Sequence, residues 1–353
     1  MNEKTLAERI ETLRADAEAS RSPSPTHELV TWRTATEADI DAMHAVAAAA
    51  DAVDHPTWIT PREDIADTFD LPHIDHARDT ILAVDAAGEV VGFGSSFLHP
   101  AREGALTVNL GGTVRPDLRR RGIGTAILAW QRARAIAQLA DALAVVPKRD
   151  GGWTADIKSY AEEANVDARA IAERQGFAPE RWFTTMERDM SAPVADVPTP
   201  EGVTIVPFTH DRDDDTRLAR NDAFRDHWGS QPSQPETWRK FIGGRFFRSD
   251  LSRLALDADG GMVGFCLASV NEEDWVALGA TNSYIDLIGV VRSHRRRGIA
   301  PAVVAGTLGA IAAAGLERAV LDVDTASPTG ANTLYEGLGF HATERMVALV
   351  TTV

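Results

Sequence analysis

The sequence predicts an α/β fold built twice in tandem, each copy a mixed, mostly antiparallel sheet flanked by helices. Three observations lead there. Residues 114–124 and 290–300 read almost alike: each passes from a β-like apolar run, through three arginines and a glycine, into an Ala/Leu/Val-rich helix. Two hairpin patterns, centred on Val91-Gly92-Phe93 and Val263-Gly264-Phe265, lie 172 positions apart (91 to 263), and the two Arg-Gly loops lie 176 apart (122 to 298). Near-constant spacing over such a length marks an internal duplication. The third is size: 353 residues, 44% hydrophobic and 25% charged, suit two ordinary globular domains.

The elements follow in order. Residues 3–19 have helical composition, with Leu6, Ile10 and Leu13 at helical spacing, and the prolines of residues 20–26 end that helix, so residues 1–26 read as an N-terminal helical extension. A first domain is expected over 27–190. It opens with an amphipathic helix over 35–50, starting at Thr36 with Glu37 and Asp39 in its first turn, and Pro61-Arg62 opens a second helix. Residues 81–85 and 90–95 alternate around a glycine-containing turn and predict a hairpin. Residues 190–202 hold Pro193, Pro198 and Pro200, and a linker is placed at 191–203. The second domain, 204–353, repeats the plan: a helix over 211–227, another opened by Gln234-Pro235, and a hairpin from 254–257 to 262–267.

Composition excludes several functions. The formal net charge of −16 argues against a nucleic-acid binder, whose footprint is basic, and weakly favours cationic or neutral small substrates. No apolar run reaches membrane-spanning length; the most apolar, 301–316, is broken by Gly306, Gly309 and Gly315. Residues 1–21 are charged throughout and do not read as a secretory signal. The single cysteine, Cys266, lies in an apolar strand-like run, reads as core, and fits a reducing, cytoplasmic setting. No His/Cys spacing suggests a metal, and no Gly-Lys-Ser/Thr makes either loop a Walker motif.

The loops themselves suit a phosphate-bearing ligand. A glycine turn at a helix N-terminus presents consecutive backbone N–H groups, and nearby arginines add positive charge. Gly122 and Gly298 permit close backbone approach, and Ala300 is the smallest replacement for a second glycine.

Arg119-x-x-Gly122-x-Gly124 and Arg295-x-x-Gly298-x-Ala300 resemble the signature of the GNAT superfamily of acyl-CoA N-acyltransferases, present here twice. Val114-x-Pro116 before the first loop, Asn332-x-x-Tyr335-x-x-Leu338-Gly339-Phe340 in the second half and the reduced Arg174-Gln175-Gly176-Phe177 in the first extend the resemblance over nearly the whole chain. The tandem layout is similar to that of mycothiol synthase-like actinobacterial double GNAT proteins.

The resemblance implies acetyl-CoA as cosubstrate and a small-molecule primary amine as acceptor. It implies donor contacts from Ile288, Val290, Arg295, Arg296, Arg297, Gly298, Ile299, Ala300, Pro301 and Asn332 in the second copy. In the first copy it implies them from Val114, Arg119, Arg120, Arg121, Gly122, Ile123, Gly124 and Thr125. It implies a strand that splays from its neighbour before each loop, and a late-helix tyrosine as the acid that protonates the leaving thiolate. Tyr335 takes that place, five residues before Phe340. Ala172 stands five before Phe177 and cannot donate a proton, and Arg169 stands where the second copy has Asn332. The second domain is therefore expected to be catalytic and the first degenerate. Strand alternation places Asp286 on one face with Ile288 and Val290, opposite Leu110 in the first copy, as a base, a water relay or an ordinary strand-end aspartate. Asp226 is a candidate partner for the acceptor's ammonium, His227 a candidate base, and Trp228 a candidate aromatic wall. A non-catalytic acyl-CoA-binding or sensing protein is the alternative.

Overall fold

A computed structural model of the protein describes residues 5–19, 27–55, 57–102, 104–326 and 330–353. The prolines expected to end the first helix lie outside the described residues.

The chain runs α1 (Leu6–Ala19), β1 (Thr31–Arg33), α2 (Ile40–Asp54), α3 (Arg62–Phe69), α4 (His76–Asp79), β2 (Thr80–Val84), β3 (Val90–Leu98), β4 (Ala105–Val114), α5 (Ile123–Val145), β5 (Thr154–Glu162), α6 (Val166–Arg174) and β6 (Ala178–Asp189). It continues through β7 (Val203–Pro207), α7 (Asp213–Ala223), α8 (Pro235–Gly243), β8 (Arg253–Asp257), β9 (Met262–Ser269), α9 (Asp274–Leu278), β10 (Asn282–Val290), α10 (Ile299–Ala313), β11 (Arg318–Asp324), α11 (Ala331–Gly337) and β12 (His341–Thr352). At the expected helix start Thr36 makes a capping box with Asp39, ahead of a single 3-10 turn that leads into α2. Asp39 also takes both Arg33 guanidinium nitrogens, which, with the Thr36 bonds, hold its carboxyl down to about 2. The helix expected over 211–227 stops at Ala223, because residues 224–230 turn to build the site wall.

The compact units do not divide at 191–203. One unit comprises the chain up to Trp182 together with Met346–Val353; the other comprises Phe183–Arg345. Strand pairing is the reason. In the second unit, β6 residues 183–189 pair antiparallel with β11. In the first, β12 residues 346–352 pair antiparallel with β5. Each repeat's last strand thus completes the sheet of the other unit, which periodicity along the chain does not reveal.

The first unit has strand order β1-β2-β3-β4-β5-β12, and the second has β6-β11-β10-β9-β8-β7. Only β4/β5 and β10/β11 are parallel among the pairings described within the units. In the first unit α5 lies on one face over Leu106, Val108 and Ile157, with Ile10 of α1 buried in the same core. Met43, Val46 and Ile65 of α2 and α3 form a separate core with Leu82. In the second unit α10 buries Val303, Val304, Leu308 and Ile311 against β9, β10 and β11, and α7 and α8 pack Ala219, Ala223 and Trp238 against Leu254, Phe265 and Leu267. Cys266 is wholly buried, and burial pushes its thiol up to about 12, so it is a core residue without thiolate reactivity at neutral pH. No helix among the described residues is long and apolar enough to cross a membrane.

Candidate active site

Both units open their sheet at the same place. β4 pairs with β5 only over Ala105–Asn109, although it runs on to Val114. β10 pairs with β11 only over Asn282–Tyr284, although it runs on to Val290. Beyond these points the strands part, and the backbone groups of Ile288 and Val290, on the edge away from β9, no longer have β11 as a ladder partner.

The two openings differ by one residue. In the second unit a β-bulge falls between Ile285, opposite Ala268, and Leu287, opposite Leu267, so Asp286 is extra. The first unit has no such shift on β3/β4. The spacing between copies records it: 172 on the inner hairpin strand (96 to 268), 175 on β4/β10 before the bulge (110 to 285) and 176 after it (112 to 288). Leu110 therefore matches Ile285 rather than Asp286, which has no counterpart, and the simple alternation expected through Asp286 is broken. The bulge nevertheless turns Asp286 into the same cavity as Ile288 and Val290. Ser269 donates to its Oδ1 at 3.1 Å.

The Arg-Gly loops have the same backbone in both copies. A 3-10 turn (Pro116–Leu118 or Arg292–His294) precedes an extended arginine, then Arg120 at φ 64° or Arg296 at φ 60°, then Gly122 at φ 88° or Gly298 at φ 79°, and a long helix starts one residue later. Among the described residues these two arginines are the only non-glycines with positive φ. Such a conformation costs roughly 1 kcal/mol or more and is kept where it serves a purpose. Here it falls just before a helix N-terminus, the kind of turn whose backbone N–H groups can form an anion-binding concavity.

The first arginine of each loop is not free to meet a phosphate. Asp226 accepts from Arg295 Nη1 at 2.6 Å and Nη2 at 2.8 Å, and Nη2 also donates to the Ala223 carbonyl. Asp54 holds Arg119 in the same way at 2.7 and 2.8 Å. Asp226 is thus a clamp on the loop rather than a vacant partner for an acceptor. The Arg295 hydrogen bonds hold its carboxyl down to about 2. Asp54-His55 and Asp226-His227 lie 172 apart (54 to 226), the spacing of the hairpins, and that repeat was the available signal that the pair is structural. Asp226→Ala frees Arg295 and is expected to raise the KM for acetyl-CoA severalfold while the acceptor KM stays within about twofold, measured by steady-state thiol release.

The remaining loop charges differ between copies. Arg120 pairs with Asp167 of α6, and His27 Nε2 donates to the Arg121 carbonyl at 2.7 Å. Arg296 and Arg297 make no ion pair among the described residues. The opened strand differs too. In the first unit buried Gln131 of α5 donates to the Gly111 carbonyl at 2.6 Å and the Ser95 carbonyl at 2.9 Å, two residues paired across β3 and β4.

In the second unit the opening is a cavity of about 1260 Å³. Of the expected residues it gathers Asp286, Ile288, Val290, Arg295, Arg296, Gly298, Ile299, Ala300, Pro301, Tyr335, Asp226 and His227. Arg297, Asn332 and Trp228 do not line it. Asn332 instead donates to the Thr325 carbonyl at 3.3 Å, and Trp228 stands behind the lining residue Phe183 with ring centroids 6.1 Å apart. His227 Nδ1 lies 3.2 Å from the Trp228 carbonyl. In the first unit the Thr125 carbonyl is occupied by Gln175 Nε2 at 3.0 Å.

Tyr335 is 8% exposed, and burial, with a smaller contribution from Cys266, pushes its hydroxyl well above the ordinary tyrosine range. Its backbone carbonyl accepts from Phe340 N at 3.0 Å, as Ala172 accepts from Phe177 N at 3.1 Å. The matching helix ends make Ala172 the true counterpart of Tyr335. The cavity also contains two groups that motif reasoning missed: Tyr284 and Asp322, joined by a 2.9 Å hydrogen bond. Neither belongs to a motif, and their strands meet only in the folded sheet.

Known proteins share this arrangement. The acetyltransferase (GNAT) family profile matches residues 214–340, and an acetyltransferase (GNAT) domain profile matches residues 30–178. A mycothiol acetyltransferase of Salinispora arenicola is 31% identical over 238 residues, 64% of this chain and 67% of that protein. A GCN5-related N-acetyltransferase from Sphaerobacter thermophilus superposes with a TM-score of 0.68 at 25% identity, over 93% of this chain and 97% of that one. A tandem GNAT protein from the clavulanic acid biosynthesis pathway shares the fold, with a TM-score of 0.62 at 16% identity over 92% and 98%.

Proposed function

Since the chain belongs to the GNAT family of N-acetyltransferases, we propose that it moves the acetyl group of acetyl-CoA to the primary amine of a small molecule, and that the chemistry takes place in the second unit. The observation that carries this reading is the asymmetry between the copies. Both have the turned loop and the clamped arginine, but the open cavity in the second unit combines Arg296, which has no ion pair among the described residues, with Asp286 and Tyr335. The first unit has Ala172 and an engaged Arg120 in the corresponding places.

The loop N–H groups and Arg296 suit the pyrophosphate, and the freed edge of β10 suits the pantetheine arm. When bound, the cosubstrate supplies an activated thioester. The acceptor amine attacks the thioester carbonyl as its neutral form, passing its proton to Asp286 directly or through water. A backbone N–H near Val290 stabilises the charge that develops on the carbonyl oxygen. As the C–S bond breaks, Tyr335 gives its proton to the thiolate.

Tyr335 is protonated below its raised pKa, so the acid remains present through neutral and mildly alkaline pH. Asp226, whose pKa is depressed, keeps its clamp above the usual carboxylate range and loses it only as pH falls through about 2. The kcat profile is therefore expected to show no alkaline fall below about pH 10, and acetyl-CoA binding no loss across about pH 5 to 9.

The test is thiol release from acetyl-CoA with kanamycin, spermidine, glucosamine, L-lysine and simple alkyl amines. Relatives named mycothiol acetyltransferases put amines related to mycothiol on the same panel. Turnover with at least one amine is expected. Calorimetric binding of acetyl-CoA without turnover on any amine would instead make the chain an acyl-CoA sensor.

A further inference from the structure

The strand opening of the second unit holds a carboxylate that the transfer chemistry does not use. Asp322 lies on β11, two residues beyond Val320, the last residue of β11 paired with β10. It is solvent-accessible and lines the cavity. Tyr284 Oη donates to Oδ2 at 2.9 Å, and Thr185 Oγ1 of β6 donates to Oδ1 at 2.6 Å. Both donors are neutral. Among the described residues no lysine, arginine or histidine pairs with Asp322, so its negative charge is held in one orientation without being neutralised. A carboxylate has about four acceptor positions, and two are filled. Burial, then Asp322 and Asp286, pushes the Tyr284 hydroxyl well above its ordinary range, so it stays a donor.

Asp322 is also particular to the second copy. The residue two beyond Lys158, the last residue of β5 paired with β4, is Tyr160. What the copies share holds the loop, and what only the second copy has faces the acceptor. Of the charges lining the cavity, Arg292, Arg295 and Arg296 lie at the loop end with Asp226 clamped to Arg295, and Asp286, Asp322 and the buried Asp324, which accepts from Ala326 N, lie on the parted strands. Asp286 is the group suited to take a proton from the reacting nitrogen. A carboxylate fixed by two hydroxyl donors suits a positive charge that is kept throughout the reaction.

We propose that Asp322, positioned by Tyr284 and Thr185, recognises the acceptor by pairing with a second cationic group on it, so that diamines and larger polycations are preferred over monoamines. This rests on the acetyl transfer to an amine proposed above.

The probes are 1,4-diaminobutane and 1-aminobutane, which share chain length and reacting group and differ in the second charge. With the full chain at saturating acetyl-CoA, kcat/KM is expected to be about tenfold or more higher for the diamine. Asp322→Asn, close to isosteric, brings that ratio near one, while the KM for acetyl-CoA stays within about twofold. Thr185→Val lowers the ratio partly, and Thr185→Ser restores it, a pattern that loss of folding would not produce. Equal kcat/KM for the two amines in the unaltered chain overturns the assignment. So does an Asp322→Asn ratio that stays high, or turnover with neither probe while calorimetry shows acetyl-CoA bound. Failure of acetyl-CoA to bind at all removes the transfer function itself.

Discussion

Tyr335→Phe is expected to lower kcat by about a hundredfold or more and to leave the KM for acetyl-CoA nearly unchanged. General-acid assistance contributes roughly 10²–10⁴-fold, and the substitution removes one hydroxyl while keeping the ring. The ring is what the fold needs: it is 8% exposed and packs edge-on to Phe340 at 6.0 Å. Phenylalanine preserves that packing, so circular dichroism and the melting temperature stay near those of the unaltered chain. Steady-state kinetics with the fastest amine of the panel gives the decisive split. An unchanged kcat would remove Tyr335 as the acid and leave water as the proton source. A parallel rise in the KM for acetyl-CoA would mean that the hydroxyl helps bind the donor.

Ending the chain at Arg345 is expected to unfold the first unit, although the deleted residues lie at the far end of the sequence from it. Residues 346–352 form the strand that pairs with β5, and Val347, Leu349, Val350 and Val353 are buried at 5% exposure or less. Full burial of a valine or leucine stabilises by roughly 1.5–3 kcal/mol, so these four contribute about 6 kcal/mol or more. Whole domains are stable by only about 5–15 kcal/mol. Calorimetric scanning is the measurement. The intact chain should show the first unit's cooperative transition, and the shortened chain should lack it or show it at a much lower temperature. A transition that survives the deletion unshifted would mean that β5 needs no partner strand.

Much of this protein was legible before folding. The duplication, the two hairpins, both Arg-Gly loops and the alignment of Tyr335 with Ala172 all follow from spacing and local chemistry. Each is a local property: a turn, a helix start or a helix end is set by residues within a few positions of one another. The Asp-His repeat at the same spacing was also readable and would have identified Asp226 as a structural clamp rather than an acceptor residue.

The rest depends on pairing between distant strands. Sequence period places a residue on a face but does not name the neighbouring strand, so the exchange of β6 and β12 between units was hidden, and domain boundaries drawn at 190 and 204 followed the chain instead of the sheet. The bulge at Asp286 left only a trace, one of the four residues by which the spacing grows from 172 to 176. One inserted residue changes which face its neighbours take, and only the register shows where it sits. Asp322, Tyr284 and Thr185 lie on three strands and meet because hydrogen-bonded sheet order brings those strands side by side. The sequence alone therefore determined the two copies, their loops and the position at which one has tyrosine and the other alanine. Tertiary structure alone decided which strands close each sheet and which side chains line the cavity, because those contacts are won by long-range pairing and burial and have no local signature.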